Sequence, residues 1–108
     1  MEGEENMENT KKLFYFPFCQ ENYWPTVYDA IDKMRQIRNR GHRIDVYTTL
    51  ENAMHVAEVT ACEGDTWIVV EIEVNDNKSV ARLATTKDYA DVDFDNTLVQ
   101  SFRLNQTN

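Results

Sequence analysis

The chain has 108 residues, with 19 acidic side chains against 11 basic ones and a formal charge of −8. That length suits a single hydrophobic core, and a composition of 42% hydrophobic and 28% charged residues folds rather than staying disordered. The acidic balance disfavours nucleic-acid phosphate and anionic lipid as partners, and runs such as Trp67–Val70 fall far short of the roughly 20 apolar residues of a membrane-spanning helix.

Residues 1–10 carry Glu2, Glu4, Glu5 and Glu8 without apolar periodicity, which predicts a disordered acidic tail. An acidic start is the opposite of a signal peptide, so the expected location is the cytoplasm or, for a delivered effector, a host cytosol. Leu13, Phe14, Tyr15, Phe16 and Phe18 form an aromatic run closed by Pro17 that suits a first strand. Pro25 fits the first turn of a helix, and Val27, Tyr28, Ile31, Met34, Ile37 and Arg38 then recur at spacings of three and four until Gly41 stops them. Ile44–Tyr47 reads as a short strand. Thr48 and Glu51 have the spacing of a capping box, opening a second helix lined by Leu50, Ala53, Met54, Ala57 and Ala61 that ends near Gly64.

Thr66–Val74 is dominated by β-branched residues and reads as a strand, turning through Asn75–Asn77 into a second strand at Ser79–Leu83. Asp88–Asp95, with Asp88, Asp91, Asp93 and Asp95, reads as an acidic loop, and Thr97–Leu104 as the last strand before a frayed end at 106–108. The sum over residues 11–105 is one α+β domain: a mixed or antiparallel sheet of about five strands with two helices packed on one of its faces.

Chemistry-bearing motifs are sparse. Cys19 and Cys62 have no second cysteine at metal-ligand spacing, and His42 and His55 form no His-x-x-x-His pair. Gly3, Gly41 and Gly64 lie too far apart for a phosphate cradle, and neither Ser79 nor Ser101 sits in a G-x-S-x-G turn. Asp91, Asp93 and Asp95 alternate like the opening of a calcium loop but lack its glycine and its closing glutamate. No metal and no cofactor is therefore expected. By contrast, Lys33, Arg35, Arg38, Arg40 and Arg43 concentrate basic charge in one stretch of an acidic chain, close to Tyr23, Trp24 and Tyr28. A basic helix face beside exposed aromatics is the pattern of a docking surface for a protein partner. The first reading is thus a noncatalytic interaction module, an adaptor, inhibitor or effector, acting as a monomer or homodimer.

The segments Val46-Tyr47-Thr48-Thr49-Leu50-Glu51-Asn52-Ala53 and Val69-Val70-Glu71-Ile72-Glu73-Val74 resemble the middle of the ADP-ribosyltransferase-like fold, over about thirty residues. In that family a strand ending in Ser or Thr enters a helix, and a glutamate-bearing strand follows. The resemblance implies an alternative function as a compact or degenerate NAD-binding enzyme, with Thr48 positioning the ribose and Glu71 or Glu73 stabilising its oxocarbenium-like form.

Both terminal strands are rich in aromatic and β-branched residues, and at least one is expected at a sheet edge, where like-charge repulsion restrains pairing. Association should therefore rise as pH falls towards the isoelectric point of about 4.6. Light scattering checks this, and a strictly monomeric mass from about pH 7 to about pH 5 would contradict it.

Overall fold

A computed structural model describes residues 11–21, 24–85 and 91–105. The tail at 1–10, Tyr23, Asp88 and the end at 106–108 lie outside the described residues. The elements are β1 (Lys12–Glu21), α1 (Val27–Asn39), β2 (Ile44–Val46), α2 (Leu50–Thr60), β3 (Asp65–Val74), β4 (Ser79–Leu83), β5 (Val92–Phe94), α3 (Asn96–Val99) and β6 (Phe102–Leu104). The fold is α+β, with four antiparallel strands in the order β1-β3-β4-β5 and a parallel pair of β2 with β6.

Successive side chains of a strand point to opposite faces, and in β3 both faces are apolar. Ile68, Val70 and Ile72 pack with Phe16 of β1 and with Val27, Ala30, Ile31 and Met34 of α1. Val69 faces the other way, into a smaller cluster with Ala53, Tyr47 and Trp67 beneath α2. The two helices therefore cover opposite faces of the sheet, where the sequence reading stacks them on one. Ala53 and Ala57 of α2 are fully buried, and the Cys19 thiol lies 3.7 Å from the Ala57 carbonyl, so small side chains let this helix lie close to β1.

The helix boundaries follow from capping chemistry. Thr26, not Pro25, opens α1: its hydroxyl accepts from the Asp29 N–H at 3.1 Å, and its own N–H donates to the Asp29 carboxylate at 2.9 Å, a reciprocal capping box. At the far end Gly41 has φ +79, donating its N–H to the Arg38 carbonyl while His42 donates to Ile37. This is the paired bonding of a Schellman ending, and it needs a left-handed residue where Gly41 stands. The cap of α2 lies one residue later than the Thr48 spacing indicates, because Thr49 accepts from the Asn52 N–H at 3.1 Å.

β1 is an edge of the four-stranded sheet. Tyr15 exchanges both backbone bonds with Tyr47, at 2.8 and 2.9 Å, so its polar groups point away from β3. Pro17, two residues on, points the same way, and its missing N–H costs no ladder bond. The predicted last strand divides: Asp95 caps the short α3, and only Phe102–Leu104 is extended. The predicted acidic loop instead contains β5, with Phe94 buried between outward-facing Asp93 and Asp95. Phe102 ties the parallel pair to the main sheet, its ring centroid 5.4 Å from Phe14 and 6.1 Å from Phe94.

Met34 is fully buried between α1 and the sheet. Met34→Ala should lower the unfolding free energy in urea by about 2–5 kcal/mol, whereas the exposed Val59→Ala should stay within about 0.5 kcal/mol.

Candidate functional site

The basic residues singled out from the sequence do not form one helix face. Residues two apart on a helix project roughly 200° apart, which sends Lys33 and Arg35 to opposite flanks of α1. Arg38 donates to the Thr97 hydroxyl at 2.8 Å and so holds α3 against the helix, and Arg43, directly before β2, donates to the Phe102 carbonyl at 2.8 Å and holds β6 beside β2. Asp95 accepts from the backbone and hydroxyl of Thr97 at 2.9 and 2.7 Å. Those bonds, with the charges of Arg38 and Arg35 adding to them, hold its carboxyl below the usual aspartate value. Lys33, Arg35 and Arg40 remain on the exposed surface.

The face of β3 that α2 leaves uncovered carries a polar cluster. In the β3–β4 register Glu71 stands opposite Arg82, and Glu73 lies on the same face two residues away. The Arg82 guanidinium donates to Glu71 at 2.8 Å, to Glu73 at 3.2 Å and to both oxygens of Asp91 at 3.0 Å. Its side chain is 26% exposed, and that of Asp91 is 49% exposed. Hydrogen bonding, first to Asp91, raises the already high Arg82 value, and the same contact lowers that of Asp91. Burial, then the charge and hydrogen bond of Glu71, push the Tyr15 phenol upward. Both carboxylates that the family resemblance assigns to catalysis are thus engaged by Arg82, while Thr48 is exposed beyond Tyr47 and Thr49 serves as the cap.

A cleft of about 390 Å³ opens at the start of α1, between Trp24 and Tyr28 on one side and Leu83, Val92 and Asp91 on the other. Trp24 is 71% exposed and Tyr28 69%, whereas every other aromatic among the described residues is buried or half-buried. The reciprocal cap at Thr26 fixes the first turn that carries both rings. Trp24 also lines a second depression with Trp67, Thr66 and Thr85. A third, on α2, is bordered by Glu51, His55 and Glu58. Among the described residues no group of three His, Cys, Asp or Glu side chains is placed to hold a metal ion, and no helix is long and apolar enough to cross a membrane.

The sequence reading identifies Trp24 and Tyr28 and places Asp91 in an acidic loop, but misses Arg82, Leu83 and Val92. Their signal is present in the hairpin: a turn centred on Asn75–Lys78 sets Arg82 against Glu71, and Asp-Val-Asp-Phe-Asp alternates with the period of a strand.

Arg82→Met should retain the apolar stem and leave three carboxylates facing one another, lowering stability near pH 7 by about 1–3 kcal/mol in urea unfolding. The folded value of Asp91 lies below its ordinary 3.8, so its contribution is complete above that value and is lost as pH falls through the lower one. The variant lacks this component and should lose less stability than the parent between about pH 4 and about pH 2.

No protein-family model, curated protein or solved structure matches the chain.

Proposed function

We propose that the chain is a small noncatalytic interaction module that binds a protein partner through the surface around Trp24 and Tyr28. The exposure of these two rings along one side of a largely apolar cleft carries the reading. Most other aromatics of the described residues, including Phe14, Phe16, Phe18, Phe94 and Phe102, are spent on the core. Leaving a tryptophan and a tyrosine in water forgoes burial that a domain of this size needs, and these residue types dominate the energetics of interfaces.

The position of the rings supports the same reading. Tyr28 and Arg35 are two helical turns apart on one side of α1, so the exposed surface runs from an aromatic centre to a basic rim. A rim of this kind orients association and speeds it without supplying most of the affinity. Cys19 and Cys62 are free thiols, which suits a reducing cytosol.

The experiment is quantitative affinity recovery from extract of the source cells, comparing the parent with Trp24→Ala/Tyr28→Ala, after circular dichroism has confirmed an unchanged fold. Loss of partner by at least about tenfold is expected, since each anchor of this kind contributes more than about 1–2 kcal/mol. Undiminished recovery rejects the surface. Reversal of the exposed Arg35 and Arg40 to Glu should slow association with a smaller loss at equilibrium.

A further inference from the structure

We draw no further inference here: the strongest candidate, the largely apolar cleft of about 390 Å³ at the start of α1 between Trp24, Tyr28, Leu83 and Val92, belongs to the surface already described, and nothing in the structure shows what covers it.

Discussion

Burial on both faces of β3 is the constraint from which the rest of the arrangement follows. A strand with Ile68, Val70 and Ile72 on one face and Trp67 and Val69 on the other cannot be satisfied by a single layer of helices. α1 closes the core on the first face. α2 has only 11 residues and covers the second face at the Trp67 end, where Ala53 and Ala57 permit close approach. Beyond that cover the same face of β3 presents Glu71 and Glu73, and a half-exposed sheet surface carrying two carboxylates needs a counter-charge. Arg82, brought opposite Glu71 by the hairpin, supplies it. The polar cluster is therefore a consequence of how short α2 is.

The same geometry explains why the basic residues near the end of α1 hold structure together. Three-residue strands such as β2 and β6 bring few ladder bonds of their own and need further ties. Arg43 binds the Phe102 carbonyl and Arg103 the Asp45 carboxylate at 2.8 Å, fastening the parallel pair together, while Arg38 binds the Thr97 hydroxyl and fastens α3 to α1. A positive cluster read along the sequence is thus resolved in space into internal fasteners and an exposed remainder of Lys33, Arg35 and Arg40.

The elements legible in the sequence are those whose stability is local. α1, α2, β3 and β4 each carry a full apolar period, and Gly41 marks a helix end for a steric reason that needs no tertiary context. The elements missed depend on distant partners. β5 has only Val92 and Phe94 to announce it, and three aspartates hide a two-residue period that β4 completes. α3 is one turn, stabilised by Asp95 and by Arg38 from 59 residues away. At α2 two successive threonines offer the same hydroxyl, and only the backbone path out of the Tyr15–Tyr47 bridge selects Thr49. For the site, exposed aromatics are readable as candidates, but which of the aromatic residues stays outside is decided by packing. Phe14, Phe16 and Phe18 share a face that α1 closes, whereas Trp24 precedes that helix and escapes it.

The position of Trp24 also links the cleft to the fold's least negotiable parts. The ring sits two residues before the Thr26 cap, so its place is set by the entry of the chain into α1, and α1 in turn is fixed by Ile31 and Met34 in the main core cluster. Asp91 on the other wall is held by both oxygens to Arg82, and Arg82 is fixed by the register of β4 on β3. Both walls of the cleft are consequently anchored to the same sheet and its core. A site whose walls share one rigid support loses little further freedom when it is filled, and that is the condition under which a few exposed groups on a small domain can yield useful affinity.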